Sequence, residues 1–344
     1  MKVLITGGAG FIGSNHAYFH FARHPDDELF VLDKLTYAGN LDNLSGLMNS
    51  ERFHFVEGDI NDKSFIDSFF EKEKFDLVIN FAAESHVDRS ISGPRVFVET
   101  NVLGTQTLLD AARMSQVSRF HQISTDEVYG DLELESDELF TEATPLAPNS
   151  PYASSKASAD LLCRSYFETF KMPITISRCS NNYGPYQFPE KLIPYFFRLL
   201  ADNKPVPVYG DGKHVRDWLY VGDHCSAVDR IIESGRPGDV YNIGGNNEKS
   251  NMEITKKLLS FMGKDEGFIR YVDDRLGHDR RYAIDASKMR DELGWEPIVS
   301  FDEGLELTFN WYRENEAWVR KLLDRLEERQ HKEISETPLK AAKS

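Results

Sequence analysis

Residues 124–130, Ser-Thr-Asp-Glu-Val-Tyr-Gly, carry groups that could do acid and base chemistry. Thr125, Asp126 and Glu127 follow the run from Phe120 to Ile123, which is predicted to be a buried strand. Open α/β sheets hold ligands at the carboxyl ends of their strands. Two adjacent carboxyl groups beside a hydroxyl can divide the acid and base roles if their surroundings separate their pKa values. On these residues alone a second interpretation stays open, in which Asp126 and Glu127 cap the next helix or face water.

Tyr152 and Lys156 form a second pair with chemical potential. They stand four residues apart at the opening of a predicted helix, so both side chains lie on one helix face. An ammonium group close to a phenol lowers the phenol pKa from about 10 toward neutrality, which would make Tyr152 a usable base. The same spacing recurs at Tyr209 and Lys213, but the glycines between them predict a turn. The alternative is two polar residues on a solvated helix face.

The start of the chain predicts a scaffold for a dinucleotide. A β-rich run at residues 2–6 leads directly into Gly7, Gly10 and Gly13 and then into an amphipathic segment. Glycines at this spacing let the chain turn tightly, let a pyrophosphate approach the backbone, and let helix and strand pack closely. The next strand ends in Asp33, whose carboxylate would accept hydrogen bonds from ribose hydroxyls and repel a 2'-phosphate. This favours NAD over NADP, although a lysine follows at position 34.

Strands alternating with helices predict a parallel, doubly wound sheet of the Rossmann type. The predicted strands are residues 2–6, 29–32, 53–56, 77–81, 120–123 and 174–177. The predicted helices, besides the first and the one that bears Tyr152, are residues 62–73, 94–114, 192–200, 251–262 and 302–328. At the strand ends, Asp59 could meet an adenine, and the small Ala82 and Ala83 would let a dinucleotide lie close. Ser85 and His86 could touch a substrate or belong to a polar loop.

The regular alternation ends after the sixth strand. Residues 181–194 are rich in Asn, Tyr, Gly and Pro, which predicts a loop over a ligand, and Gly210-Asp211-Gly212 predicts a hairpin. Lys191 and Arg216 are cations that could meet a diphosphate. We expect a cofactor domain at 1–178, to which part of 218–245 returns, a smaller interwoven α/β substrate domain at 179–330, and a frayed polar tail at 331–344.

Composition narrows the class of protein. The 344 residues carry a formal net charge of -16, which argues against a nucleic-acid or membrane surface because either needs a broad basic face. No apolar run has the length of a membrane helix, and no signal-peptide pattern precedes the first strand. The three cysteines lie far apart, which predicts reduced thiols in a cytoplasmic protein. The ten histidines show no metal-ligand spacing, so no metal site is expected.

Several motifs together resemble the extended short-chain dehydrogenases/reductases: the three spaced glycines, Asp33, the strand-end Ser124-Thr125, and Tyr152 with Lys156. Within that superfamily the chain is similar to the nucleoside-diphosphate-glucose 4,6-dehydratases, most closely to those that act on dTDP-glucose. The segments that carry the similarity are 33–40, 83–88, 125–130, 181–185 and 216–221. Sugar 4-epimerases of the superfamily keep the Tyr and Lys but lack the acidic pair at 126–127.

The resemblance implies roles for further residues. It implies catalysis by Thr125, Asp126, Glu127, Tyr152 and Lys156. It implies NAD binding by Gly7, Gly10, Phe11, Ile12, Gly13, Asp33, Lys34, Leu35, Thr36, Asp59, Ile60, Ala82, Ala83, Ser85, Thr100, Tyr152, Lys156 and Asn182. It implies nucleotide-sugar binding by Ser85, His86, Thr125, Asn181, Lys191, Leu192, Pro207, Tyr209, Arg216, Asn251, Arg275 and His278, although Leu276 replaces the proline usual beside Arg275.

The resemblance also implies a reaction. Tyr152, assisted by Lys156, would remove the proton of the sugar 4-hydroxyl while carbon 4 is oxidised, with Thr125 hydrogen-bonded to the 4-oxygen. Glu127 would then remove the carbon-5 proton, and a protonated Asp126 would release the 6-hydroxyl as water, in a route to rhamnose-type deoxysugars. Base and acid act on adjacent carbons at nearly the same moment, which explains why two carboxyl groups are needed. A homodimer is implied, paired through helix 94–114 and the helix bearing Tyr152.

Other functions stay open at this stage. A UDP-glucose 4,6-dehydratase differs in the nucleotide base, and a single methyl group is worth only about 1 to 3 kcal/mol in a pocket. A nucleotide-sugar epimerase or decarboxylase on the same fold is disfavoured by the acidic pair. A non-catalytic, NAD-sensing regulator is a different class of protein, which would need neither the Tyr-Lys pair nor the acidic pair.

Overall fold

A computed structural model describes residues 1–274 and 278–325. The strands are β1 Lys2–Thr6, β2 Glu28–Asp33, β3 Phe53–Glu57, β4 Leu77–Asn80, β5 Arg119–Thr125, β6 Ile174–Cys179, β7 Asn181–Tyr183, β8 Val206–Tyr209, β9 Val215–Tyr220, β10 Val240–Ile243, β11 Glu248–Ser250 and β12 Ile269–Val272. The helices are α1 Phe11–Arg23, α2 Lys63–Glu73, α3 Val87–Ser92, α4 Arg95–Phe97, α5 Thr105–Met114, α6 Pro151–Phe170, α7 Leu192–Ala201, α8 Val221–Ser234, α9 Asn251–Phe261, α10 Ser287–Leu293 and α11 Phe301–Glu314.

The main sheet contains seven parallel strands in the order β3-β2-β1-β4-β5-β6-β10. The first six follow the doubly wound Rossmann order, and β10 adds a strand beside β6. The predicted fold is therefore confirmed, and each of the six predicted strands is present. Because the order reverses between β1 and β4, the carboxyl ends of these strands open a crevice for a ligand.

Helices cover both faces of this sheet, so its strands are apolar on both sides. Val3 and Ile5 of β1 face a cluster that includes side chains of α1 and α8. Leu4, which points the other way, joins a cluster with side chains of α2, α5 and α6. Such near-continuous hydrophobic runs are what made the strands predictable from sequence.

Two expectations for the second half of the chain were wrong. Residues 181–183 form strand β7 rather than loop, because they pair in parallel with β9, which also pairs with β11. Gly210 and Gly212 do adopt positive φ angles of 54° and 72° and make a turn. The flanking strands do not form a hairpin, since β8 pairs with β12. Positive-φ glycines reverse the chain without deciding which sheet edge the next strand joins.

The two long predicted helices are both interrupted. The helix at 94–114 contains a π-helical segment, Val98–Gly104, between α4 and α5. The helix predicted at 302–328 breaks at Asn315, whose side-chain amide donates to the Trp311 carbonyl, and residues 316–325 are helical again. Its last residues and the tail at 331–344 lie outside the described residues. Within the described ranges, no helix combines the length and apolar character that crossing a membrane requires.

One buried histidine in α1 has no polar partner. His16 is fully buried, and neither ring nitrogen has a hydrogen-bond partner among the described residues. Its ring packs 5.2 Å from the ring of Phe81. Burial holds the pKa of His16 well below its usual range, so the ring is neutral in the folded protein. An unpaired buried polar group costs about 1 to 3 kcal/mol.

We expect His16→Leu to raise the free energy of unfolding by about 1 kcal/mol near pH 7, because leucine fills a similar volume without an unpaired polar group. The gain should grow toward about pH 5. Below a pKa of about 6.5 the unfolded histidine binds a proton that the folded one does not, so the wild type loses stability as the pH falls. Urea unfolding at both pH values measures this. His54→Gln, at the half-exposed His54-Glu28 pair, is the control. Destabilisation by His16→Leu at both pH values would contradict the assignment.

Candidate active site

A cleft of about 380 Å³ opens at the carboxyl ends of the parallel strands. It brings together the predicted catalytic residues and nearly all predicted cofactor residues, with four of the predicted substrate residues, Ser85, Thr125, Asn181 and Lys191. Its lining includes Gly7, Gly10, Phe11, Ile12, Gly13, Asp33, Lys34, Thr36, Asp59, Ile60, Ala82, Ala83, Ser85, Thr100, Thr125, Asp126, Glu127, Tyr152, Lys156, Asn181, Asn182 and Lys191. One side of the cleft thus combines acid-base groups with a glycine-rich turn.

The glycine turn leaves no room for side chains. Gly7 has a positive φ of 67°, and a Cβ atom there would lie 2.6 Å from the backbone nitrogen of Ala82. A Cβ atom on Gly13 would lie 2.4 Å from the Gly7 carbonyl oxygen. The turn therefore presents bare backbone at the amino terminus of α1, which is the arrangement that accepts a pyrophosphate. These residues fit a dinucleotide.

Asp33 lies at the end of β2 beside this turn. Its carboxylate accepts the N–H groups of Ala9, at 2.9 Å, and Leu35, at 2.8 Å. Burial raises the pKa of Asp33, and the two backbone hydrogen bonds oppose the rise. The adjacent Lys34 forms an ion pair of 2.5 Å with Asp59. Leu35 therefore contributes its backbone N–H to Asp33, and the Lys34 ammonium group is paired with the Asp59 carboxylate.

The acidic pair sits on a 3-10 turn, Asp126–Tyr129, that directly follows β5. Thr125 caps this turn, since its hydroxyl oxygen accepts the Glu127 N–H at 3.3 Å. The same hydroxyl donates to Asp126 Oδ1 at 3.2 Å. Neither acid is the cap, and Asp126 is only 1% exposed. The capping and solvent-facing interpretations of Asp126 are therefore wrong.

Burial gives Asp126 the character of an acid. Desolvation, followed by the nearby charges of Glu127 and Asp217, raises the pKa of Asp126 well above its usual range. Its Oδ2 atom is buried without a hydrogen-bond partner among the described residues. A protonated carboxyl group on a residue that lines a cleft can donate a proton to a leaving hydroxyl.

Tyr152 and Lys156 enter the cleft from the first turns of α6. Ser150 caps the helix by accepting the Ala153 N–H at 3.1 Å, which directs the first turn inward. Both functional side chains are buried, at 8% and 4% exposure, so the solvated-face interpretation is wrong. The Lys156 ammonium group donates to the Ile123 carbonyl at 2.5 Å.

The expected lowering of the Tyr152 pKa is not found. Burial, followed by the charge of Glu127, raises the pKa of Tyr152 well above 10, and a hydrogen bond with Thr125 opposes this only in part. Burial also lowers the pKa of Lys156. Spacing on a helix placed the two side chains correctly, but it does not report desolvation, which disfavours the charged form of each.

Two sets of positioning residues were missed from sequence. Asn101, in the π-helical segment, binds the backbone of Glu84 through its Oδ1 and Nδ2 atoms and also donates to Ser155 Oγ at 2.8 Å. It thereby holds a cleft loop against α6, next to Lys156. A buried Asn within an amphipathic helix was the only available signal.

The second set holds Tyr129, the last residue of the turn Asp126–Tyr129, in place. The Tyr129 hydroxyl donates to Asn242 at 2.7 Å and accepts from Arg178 at 3.0 Å. Arg178 in turn pairs with Asp160 at 2.9 Å, in the fully buried interior between β6 and α6. These partners come from four separate segments, so no local motif indicated them.

The remaining predicted substrate residues lie elsewhere. Pro207 and Tyr209 lie on β8, Asn251 begins α9, Leu192 begins α7, and none of these lines the cleft described above. The Arg216 guanidinium donates to the carbonyls of Val215 and Asp279 and lies 4.3 Å from the Tyr282 ring centre. His86 lies 3.5 Å from Glu190, His278 lies 2.6 Å from Asp274, and Arg275 falls outside the described residues.

Comparison with known proteins agrees with this geometry. The model of the GDP-mannose 4,6 dehydratase family matches residues 4–308. The chain is 53% identical over 312 residues to the low-salt glycan biosynthesis protein Agl12 of Haloferax volcanii, covering 91% of this chain and 98% of that one. It is 49% identical over 339 residues to a dTDP-glucose 4,6-dehydratase of Xanthomonas campestris, covering 93% and 95%.

A solved structure extends the comparison to three dimensions. DesIV of Streptomyces venezuelae, a dTDP-glucose 4,6-dehydratase solved with NAD bound, superposes with a TM-score of 0.90 at 49% identity. The match covers 94% of this chain and all of that one. The chain therefore belongs to the GDP-mannose 4,6 dehydratase family, and its resemblance to the dTDP-glucose 4,6-dehydratases is confirmed.

Proposed function

We propose that this protein converts dTDP-glucose to dTDP-4-keto-6-deoxyglucose with bound NAD, in deoxysugar biosynthesis of the rhamnose type. The observation that carries the proposal is the buried Asp126 carboxyl beside Glu127, whose pKa burial raises, in the same cleft as Tyr152 and a dinucleotide-binding turn. An epimerase or decarboxylase has no use for such an acid. The relatives named above support dTDP-glucose as the substrate.

The cofactor would lie along the glycine turn with its adenosine ribose at Asp33. The bare backbone at Gly7 and Gly13 supports this placement, and the pairing of Lys34 with Asp59 supports NAD over NADP because it neutralises the cation nearest the ribose. When bound, NAD accepts a hydride from carbon 4 of the sugar and returns it to carbon 6, so it is regenerated in each turnover.

The first proton transfer is assigned to Tyr152. Its phenol would take the proton of the sugar 4-hydroxyl, and the Thr125 hydroxyl would bind the 4-oxygen. The raised pKa of Tyr152 means that this transfer depends on positive charge nearby. Lys156 supplies that charge from the next turn of the helix, where the Ile123 carbonyl holds its ammonium group.

The elimination is assigned to the acidic pair. The 4-ketone acidifies the carbon-5 proton, which Glu127 removes as a carboxylate. Asp126 gives its proton to the 6-hydroxyl, which leaves as water, and a proton returns to carbon 5 when carbon 6 receives the hydride. The unpaired Oδ2 atom of Asp126 supports this role, because a substrate hydroxyl would be its first hydrogen-bond partner.

The nucleotide of the substrate would extend beyond the cleft. Lys191 lines the cleft and begins the segment that leads into α7, and Asn181 lies on β7 beside it. We assign the nucleotide to the surface beyond them, formed by Leu192, Pro207, Tyr209, Arg216, Asn251 and His278. Ser85 and His86 would meet the sugar side. Thymidine and uridine substrates are to be compared directly, since one methyl group separates them.

We also propose that two copies pair through the helices α4 to α5 and α6. Several large apolar side chains on these helices are exposed in the single chain, which supports a covered face. They are Val96, Val98, Leu103, Met114, Leu161 and Phe170.

A cytoplasmic location is supported by Cys163, Cys179 and Cys225, which are buried free thiols. The return of β10 to the main sheet supports a cofactor domain completed by residues from 218–245.

The role of Asp126 as acid can be distinguished from the role of Glu127 as base by studying the Asp126→Asn variant in deuterated water. Wild-type enzyme given dTDP-glucose should release one water and leave deuterium at carbon 5 and a 6-methyl group. The variant should still oxidise carbon 4 and exchange the carbon-5 proton, but water loss should slow by about 10²- to 10⁴-fold because an amide is a poor acid. Mass spectrometry and NMR of the sugar report both events.

The same experiment tests the function itself. Normal water loss by Asp126→Asn would overturn the acid assignment. An unchanged sugar with the wild type would redirect the proposal to UDP-glucose, and failure with every nucleotide sugar while NAD stays bound would favour the regulator. Asparagine has nearly the same shape as aspartic acid, so the variant should keep the wild-type unfolding temperature. Equal unfolding temperatures would exclude misfolding as the cause of a slower reaction.

Tyr152→Phe should stop the reaction earlier. Without the phenol oxygen the 4-hydroxyl keeps its proton, so kcat should fall by about 10²- to 10⁴-fold with little change in KM, and no carbon-5 exchange should occur. Tyr166→Phe is a matched control on the same helix, because its hydroxyl binds only Asp110 among the hydrogen bonds described. Carbon-5 exchange that persists in Tyr152→Phe would show that another group takes the first proton.

Leu161→Glu tests the proposed pairing. A charge placed on the covered face should convert a dimer into a monomer in sedimentation velocity, because burying an unpaired carboxylate is costly. Ile298→Glu, at a side chain that is 86% exposed away from these helices, should leave the mass unchanged. A wild type that sediments as a monomer would exclude the dimer, and a dimer that survives Leu161→Glu would place its interface elsewhere.

A further inference from the structure

Two histidines and an aspartate meet where the end of α1 packs against α8. One nitrogen each from His20 and His24 and one carboxylate oxygen from Asp229 all lie within 4.8 Å of one another. The histidines are four residues apart, so they project from the same side of the helix end. This group is separate from the cleft, because α1 is 13 residues long and its other end, about 20 Å away, carries the glycine turn.

One ring nitrogen of His20 has no hydrogen-bond partner among the described residues. Its Nε2 atom lies 3.1 Å from Asp27 Oδ2, so the carboxylate holds the ring proton on that side. Its Nδ1 atom is buried and has no hydrogen-bond partner among the described residues, and the side chain is 1% exposed. A carboxylate that orients one histidine nitrogen and leaves a lone pair on the other is the usual arrangement of a metal-bound histidine.

His24 and Asp229 complete a donor set. His24 Nε2 lies 2.7 Å from Asp229 Oδ1, and the other carboxylate oxygen pairs with the Arg23 guanidinium at 2.8 Å. Asp229 is 2% exposed, whereas the His24 side chain is 23% exposed, so a cation could enter from solvent along His24. The carboxyl end of α1 also points its dipole toward this group, which favours a positive charge.

We propose that His20, His24 and Asp229 bind a divalent cation of the zinc class, with water in the fourth position. Two imidazole nitrogens and one carboxylate oxygen are ligands that zinc accepts in tetrahedral geometry. The cation would lie between His24 Nε2 and Asp229 Oδ1 and replace the direct contact between these two atoms. Since the group joins α1 to α8 at the end remote from the cleft, the bound cation stabilises the fold and leaves turnover unaltered.

Cobalt(II) titration of the full, untagged chain tests this proposal, because tetrahedral cobalt has visible absorption bands. We expect one equivalent to bind. His24→Gln should weaken binding at least about tenfold, and Asp27→Asn, which keeps all three ligands, should weaken it by about 10-fold through the orientation of His20. His214→Gln is the matched control, because His214 belongs to a second such group with Asp274 and His278.

Zinc provides a readout that does not depend on spectra. It should raise the unfolding temperature of the wild type and of His214→Gln, but not that of His24→Gln, because only binding to the folded state stabilises it. Absence of saturable cobalt binding would overturn the proposal. Loss of binding in His214→Gln with retention in His24→Gln would do the same, since the cation would then occupy the other group. Neither result would bear on the dehydratase, whose cleft contains none of these residues.

Discussion

Desolvation at the end of strand β5 is the physical constraint on which the site depends. Removing water from the Asp126 carboxyl raises its pKa and so favours the protonated form, which can act as an acid. The same dry surroundings disfavour the Tyr152 phenolate and the Lys156 ammonium ion. One environment therefore favours the transfer of a proton to the leaving hydroxyl and opposes the first proton transfer of the proposed reaction. Thr125, which hydrogen-bonds to both Asp126 and Tyr152, lies where these two demands meet.

The surrounding structure explains how such a site stays in place. Burying a polar group, whether neutral or charged, destabilises the folded state unless its hydrogen-bond partners are held in place. Behind the catalytic turn, Tyr129 is fixed by Arg178 and Asn242, which belong to β6 and β10. Strand β10, at the edge of the main sheet, thus helps to position the turn that carries Asp126 through its residue Asn242. On the other side, Asn101 couples the loop at Glu84 to α6.

Sequence reasoning succeeded where the determinants are local. Strands β1, β2 and β4 were predictable because burial on both faces makes each read as an apolar run, and the glycine turn and acidic pair are contiguous motifs. It failed where partners are distant in the chain. The glycines at 210 and 212 predicted a turn correctly, but β8 found β12 rather than its neighbour. Strand β7 is polar in sequence and exists because β9 offers an edge. The prediction of a lowered Tyr152 pKa failed for the same reason, because the burial that raises this pKa depends on the whole fold.

The π-helical segment at Val98–Gly104 has a consequence for how this chain tolerates changes in length. A π turn contains about one residue more than an α turn, and one residue rotates everything that follows by about 100°. Before the segment's end the helix directs Asn101 toward the cleft, and after it Leu108 and Leu109 face the sheet. Deleting a single residue here would yield a regular helix that is locally sound. It would nevertheless turn either the amide or the leucines away from their partners, so the residue count of this helix is constrained as strictly as its composition.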